Sequence, residues 1–167
     1  MILALDVDYR DDYACIAGVA FNDFNDEAEE CIYTSVHCNV MPYATGQFYQ
    51  RELPCILTLL KEHNLTPEII IIDGFVWLDG ESKAGLGAHL YQALDKRTAI
   101  IGVAKNSFNN ISEKFQLYRG ESRKPLYITC VGFDLDKAIN AVKQMHGKFR
   151  LPDLLKKADR ECRALEQ

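Results

Sequence analysis

The stretch Ile69-Ile70-Ile71-Ile72-Asp73 decides how this chain folds. Four consecutive β-branched apolar residues have no polar face, so they suit a strand covered on both sides and not an amphipathic helix. Asp73 closes the run where the strand leaves the sheet. Upstream, Leu53, Ile56, Leu57 and Leu60 recur at helical spacing over about 52–63, with Pro54 suited to the first turn. Asn64-Leu65-Thr66-Pro67 stops that helix just before the strand begins. A helix leading straight into a buried strand is a crossover to a parallel neighbour.

Working outward, three strands are predicted near 2–8, 13–21 and 31–40, joined by the turn-rich Asp8-Tyr9-Arg10-Asp11-Asp12 and the acidic 22–30 stretch. Connections this short make an antiparallel meander. After the crossover, the pattern predicts a helix near 84–95, a strand at 98–104, an irregular polar region at 106–123, a strand at 125–131 and a helix near 136–147. Strands first, then helices alternating with strands, imply an α/β fold: a mixed β-sheet, antiparallel then parallel, flanked by helices. At 167 residues, 48% of them hydrophobic, residues 1–167 read as one domain with a substantial core.

The six cysteines include no Cys-x-x-Cys pair, and several sit in apolar patterns where a reduced, buried thiol is usual. An intracellular, cytoplasmic location is expected. No apolar run reaches the ~20 residues of a membrane helix, so no membrane partner is expected. Net charge is −5, but it is unevenly divided: residues 1–95 carry 4 basic and 16 acidic side chains, residues 96–167 carry 15 and 8. A protein that holds cations with one surface and phosphates with another has such a division, and so does one whose halves attract each other.

Three carboxylates stand at element ends. Asp6 follows the apolar Met1-Ile2-Leu3-Ala4-Leu5, Asp73 follows the isoleucine run, and Glu52 opens the helix before Leu53-Pro54. Hard divalent cations such as magnesium and manganese favour carboxylate oxygens, and carboxylates converging from adjacent elements are what a phosphodiester-cleaving metal site needs. Each residue also has a plain structural use. A strand-ending Asp is often a turn residue or cap, a Glu at a helix start offsets the dipole, and a Lys after a strand is usually a solvated terminus.

The motifs around these residues resemble the endonuclease V family along nearly the whole chain. Leu5-Asp6-Val7-Asp8-Tyr9 resembles its first-strand aspartate motif, and Pro42-Tyr43-Ala44-Thr45-Gly46 through Arg51-Glu52 resembles its tyrosine-proline-glycine segment. Asp73-Gly74, Gly85-Leu86-Gly87-Ala88-His89-Leu90, Ile101-Gly102-Val103-Ala104-Lys105, Lys124-Pro125-Leu126-Tyr127 and the tail Arg150-Leu151-Pro152-Asp153 with Ala158-Asp159 follow in the family's order. The resemblance implies a ribonuclease H-like fold and cleavage of nucleic acid, DNA or RNA, on the 3′ side of a deaminated base such as inosine. It implies Asp6, Glu52 and Asp73 as holders of magnesium or manganese, and Lys105 as the cation that offsets phosphate charge. Tyr43 would wedge at the modified base, Gly46 would help form its pocket, and Gly74 would let the nucleotide approach the backbone. A monomer is expected.

The chain also departs from the family pattern. Asp79-Gly80-Glu81 stands where the family has histidine followed by Pro-Arg, and Gly132-Phe133-Asp134 stands where it has Gly-His. Phe75-Val76-Trp77-Leu78 is bulkier and more apolar than the family's continuation of the Asp-Gly motif. Asp79 or Asp134 could serve as an extra metal ligand. Two other readings stay open: a catalytically weakened protein of the same fold that binds nucleic acid or another partner, and a ribonuclease H-like nuclease with a different substrate.

Overall fold

The structure, a computed structural model, describes residues 1–45 and 47–166. β1 (Ile2–Tyr9), β2 (Tyr13–Phe21) and β3 (Cys31–Cys38) form the antiparallel meander. α1 (Phe48–Glu62) crosses over to β4 (Ile69–Asp73), which pairs parallel to β1, and α2 (Leu86–Ala93) leads to β5 (Ala99–Ala104), parallel to β4. A 3-10 turn at Glu113–Phe115 enters the short β6 (Gln116–Leu117). β7 (Leu126–Val131), α3 (Leu135–Gln144) and α4 (Asp153–Ala164) complete the order. Among the described residues the sheet runs β3-β2-β1-β4-β5-β7-β6.

The isoleucine run is the centre of this sheet. Ile70, Ile71 and Ile72 are at most 2% exposed, and alternation sends them to opposite faces. Leu3, Leu5, Ile70 and Ile72 pack with Cys55, Ile56 and Leu59 of α1 and Leu86 and Leu90 of α2. Ile2, Ala4, Ile71, Ile101 and Val103 pack on the other face with Ala138 and Val142 of α3 and Leu154 and Ala158 of α4. Both layers are therefore dry, which is why this strand carries no polar face at all.

Three details differ from the sequence expectations. α1 begins at Phe48, so Glu52 lies in its second turn and Pro54 sits in the helix interior, where it removes the amide that would have bonded residue 50. β7 pairs antiparallel to β5 because the segment between them contains no crossover helix and doubles back through β6. α4 is not evident from hydropathy. It is charge-rich, and its buried stripe is only three residues, Leu154, Ala158 and Cys162, in a helix of 12.

The loop between α3 and α4 is held by one buried cation. Arg119 is 6% exposed; its Nη1 donates to the carbonyls of Phe149 (2.6 Å) and Arg150 (3.1 Å), and its Nη2 to those of Met145 (2.6 Å) and Gly147 (3.0 Å). Arg119→Leu strands these acceptors, so urea unfolding should show a loss of about 2–4 kcal/mol. A loss below ~0.5 kcal/mol, the range of an ordinary surface change, would show that the guanidinium is not what orders the loop.

Candidate active site

The register brings Asp6 and Asp73 side by side. Leu5 pairs with Ile72 across the parallel β1–β4 ladder, so the next residue on each strand is the aspartate. Alternation points Asp6 to the same face as Ile2 and Ala4, and Asp73 to the face of Ile71, which is the α3 and α4 face. Lys105, two residues beyond Val103 on β5, falls on that face as well, and its Nζ lies 3.2 Å from Asp73 Oδ2. Asp6, inside β1 where its pairing to β4 stops, Asp73 at the end of β4 and Lys105 just past β5 thus line a cleft, walled by Leu151, Leu155 and Ala158 from the other side. Open α/β sheets place ligands at such strand ends.

Glu52, carried by α1 against the opposite face of the sheet, is 4% exposed and is not among the residues that line this cleft. Its carboxyl is raised well above the ordinary range, first by burial and then by the charges of Asp6 and Asp73, with Arg51 opposing. Asp6 is 8% exposed and pushed up to about 7, by burial first, then by Asp73 and Asp159, against the Val7 amide and Lys105. The Val7 amide donates to Asp6 Oδ1 at 2.9 Å. Two buried acids raised by burial and by the carboxylates around them, beside Asp73 with Lys105 bonded to it, make this a place crowded with carboxylate oxygens. Such a set of oxygen donors fits a hard divalent cation.

Asp159 joins them. Together with Cys162 of the same helix, it has ligand atoms within 4.8 Å of Asp6 and of one another. The only sequence signal for it is the Ala158-Asp159 tail; without α4 in view, nothing connects residue 159 to residue 6. Cys162 contributes no anion to the group. Its thiol is pushed up by burial and by Asp6 and Asp159, and it donates to the Asp159 carbonyl at 3.1 Å.

A second feature lies at the mouth of the cleft. An apolar groove is lined by Tyr43, Phe48, Gly74, Phe75, Leu78 and Phe108, and Tyr43 is 62% exposed on its loop. Gly74 has φ +145° and no heavy atom near the position of a Cβ, so its backbone is open to a flat ligand while its conformation excludes other residues. Its amide donates to the Val103 carbonyl at 3.1 Å, tying the groove to β5. Gly46 lies outside the described residues.

Asp79 and Asp134, which could serve as an extra metal ligand, each have local structural work. Asp79 accepts from the amides of Glu81 (3.0 Å), Ser82 (2.8 Å) and Lys83 (2.9 Å) and from the Ser82 hydroxyl, which hold it well below the usual carboxylate range. Asp134 caps α3 by accepting from the Lys137 amide at 3.0 Å. Trp77 donates to the Cys130 carbonyl at 3.1 Å and is partly buried against the core. The histidines are engaged elsewhere too: His37 with Thr58, His63 with the Thr34 carbonyl, His146 with Asp153, and His89 stacked on Tyr49 with ring centroids 3.7 Å apart.

Residues 1–122 match the family model described as Endonuclease V. An endonuclease V of Rippkaea orientalis is 30% identical over 95% of this chain and 77% of that protein. One of Nostoc punctiforme is 29% identical over 88% and 73%. The crystal structure of the Streptomyces avermitilis endonuclease V, 26% identical, superposes with a TM-score of 0.74 over 97% of this chain and 79% of that one. The Ciona intestinalis endonuclease V, solved in complex with a 24mer DNA containing an inosine followed by a ribo-adenosine, shares the fold at 21% identity and a TM-score of 0.77, over 97% and 84%. The mixed sheet with flanking helices is the ribonuclease H-like fold of these structures. Among the described residues, no helix is long and apolar enough to cross a membrane.

Proposed function

Because this chain belongs to the endonuclease V family of nucleases, we propose that it hydrolyses the phosphodiester bond on the 3′ side of a deaminated base, inosine above all, in DNA or RNA. The observation that supports this reading is that Asp6, Asp73 and Lys105 line one cleft where the β1–β4 pairing ends, with buried Glu52 close enough to feel both aspartates, next to an apolar groove that includes Gly74. Magnesium or manganese, held by Asp6, Glu52 and Asp73 with Asp159 beside them, would activate water and offset charge on the phosphoryl oxygens.

The chain's own residues do the rest. Lys105, oriented by Asp73, is placed to donate to a phosphoryl oxygen as its charge grows, a contact that strengthens in the transition state. Burial of Asp6 and Glu52 keeps bulk water out of the reacting centre and fixes their orientation. Gly74 admits the base close to the backbone, Phe75 and Phe108 present aromatic faces to it, and exposed Tyr43 fills the gap it leaves in the stack. With Asp79 and Asp134 committed to a turn and a cap, no step in this scheme requires the missing histidines.

The test is direct. Purified protein is incubated with single-stranded and duplex oligonucleotides, of DNA and of RNA, each containing one inosine, in magnesium and in manganese. One cation-dependent cut on the 3′ side of inosine is expected. Intact oligonucleotides with folded protein would overturn the proposal in favour of a binding role or another substrate.

A further inference from the structure

The loop between α3 and α4 spends a buried guanidinium on its own rigidity and then shows an aromatic ring to solvent. Arg119 ties down the carbonyls of Met145, Gly147, Phe149 and Arg150, yet Phe149 is 55% exposed. What distinguishes this ring from an ordinary exposed side chain is its neighbours. Lys156 Nζ lies 4.1 Å from the ring centroid and Lys148 Nζ 5.4 Å. Asp153 lines the same hollow but is engaged by His146 at 2.9 Å, so the two lysines set the charge beside the ring, in the half of the chain that carries 15 basic and 8 acidic side chains.

Its position relative to the cleft gives the patch a meaning. Arg150, the next residue, donates from Nη1 to the Lys105 carbonyl at 3.1 Å, and Leu151 lines the cleft with Asp6 and Asp73. On α4, Leu155 also lines the cleft, Lys156 follows it, and Asp159 stands three residues on, one turn away. The patch therefore begins where the catalytic wall ends. A strand whose scissile phosphate lies in the cleft must pass a neighbouring surface with the rest of its phosphates.

We propose that Phe149 with Lys148 and Lys156 is a docking platform for the nucleic-acid strand flanking the cleft: one base stacks on the Phe149 ring and adjacent phosphates pair with the two lysines. This rests on the nuclease reading above and extends it to residues outside the reaction centre. Aromatic rings between cations are how proteins hold single strands with little sequence preference, because every base offers a π-face and every residue of the strand a phosphate. The Arg119 clamp contributes by ordering the loop before the strand arrives.

Binding of labelled single-stranded oligonucleotides, with and without inosine, is followed by fluorescence anisotropy across a salt series, alongside cleavage rates. Phe149→Leu keeps apolar bulk but not a stacking face, and should weaken binding by roughly tenfold, with or without inosine. Phe149→Trp should bind as the wild type does. Lys148→Ala combined with Lys156→Ala should reduce the slope of log affinity against log salt by roughly 1.4–1.8, two phosphate contacts' worth. Circular dichroism checks each variant; were Phe149→Leu to unfold, Phe149→Trp and the lysine pair still carry the test. Wild-type affinity in Phe149→Leu, an unchanged salt slope in the lysine variant, or a Phe149-dependent dimer would each overturn the platform and leave the nuclease reading standing. A wild-type protein that binds and cuts undamaged strands but ignores inosine would overturn the base specificity and leave the platform standing. Failure to bind any oligonucleotide would overturn both.

Discussion

Asp73→Asn should reduce cleavage of an inosine-containing oligonucleotide by about a thousandfold or more while leaving the fold intact. The substitution keeps shape and removes one charge from the cleft. Its side chain is about a third exposed, so no core contact is lost. What is lost is an anionic oxygen for the cation and the acceptor that orients Lys105, whose Nζ lies 3.2 Å away. Charge stabilisation by a bound cation amounts to several kcal/mol of barrier, and each ~1.4 kcal/mol is tenfold in rate. Nucleic-acid binding should hold or tighten, since a negative charge facing phosphate disappears. Single-turnover rates, anisotropy and a melting curve on the same preparation separate these effects. Activity within tenfold of wild type would remove Asp73 from the reaction.

Without divalent cation, the protein should become less stable as pH rises from about 4 to above 7, the reverse of an ordinary carboxylate-rich protein. Asp6 has an ordinary value of 3.8 in the unfolded chain and about 7 in the fold, so the folded state holds the proton over that window and the unfolded state does not. The stability present below pH 4 is lost as pH climbs through 7, and a shift of this size corresponds to on the order of 4 kcal/mol. Glu52 is raised too and adds in the same direction. Glu29 and Asp79 are lowered, so their stabilisation grows as pH passes their ordinary values of 4.5 and 3.8 and is complete by about pH 5.5, above which the trend belongs to Asp6 and Glu52. Adding magnesium or manganese at pH 8 should restore much of the loss, because the cation replaces the protons. Asp6→Asn should flatten the profile and blunt the response to metal. Urea unfolding in chelator across pH 4.5–8.5 reads this; a flat wild-type profile, or no stabilisation by either cation, would contradict it.

Much of this site is legible from the chain because its signals are local. The isoleucine run reports two covered faces, and an aspartate immediately after it must emerge at the sheet's edge. Asp6 looks like a strand end in the sequence but lies inside β1, which runs on to Tyr9 against β2; only the end of its pairing with β4 opens the sheet beside it. Glu52 is legible as a motif residue but not in its placement, since sequence spacing puts it at a helix start and the helix begins at Phe48. Its functional position depends on which strand α1 crosses. The histidine replacements look chemically suggestive in the sequence and turn out to serve a turn and a cap, because whether a carboxylate is available depends on which amides surround it.

By itself the sequence determined the mixed sheet, the order of its elements around the crossover, and Asp73 and Lys105 as residues leaving strand ends. These follow from periodicity and breakers, which act over a few residues. Only the tertiary structure decided that Asp6 and Asp73 stand one step beyond a paired Leu5 and Ile72, and that Glu52, carried against the opposite face, lies close enough to feel both. It alone decided that Asp159 completes the acidic cluster and that the Arg119-clamped loop presents Phe149 beside the cleft. The physical reason is that register, helix docking and the pairing of buried charge are set by contacts between segments as far apart as residues 6 and 159, and no local pattern encodes such a distance.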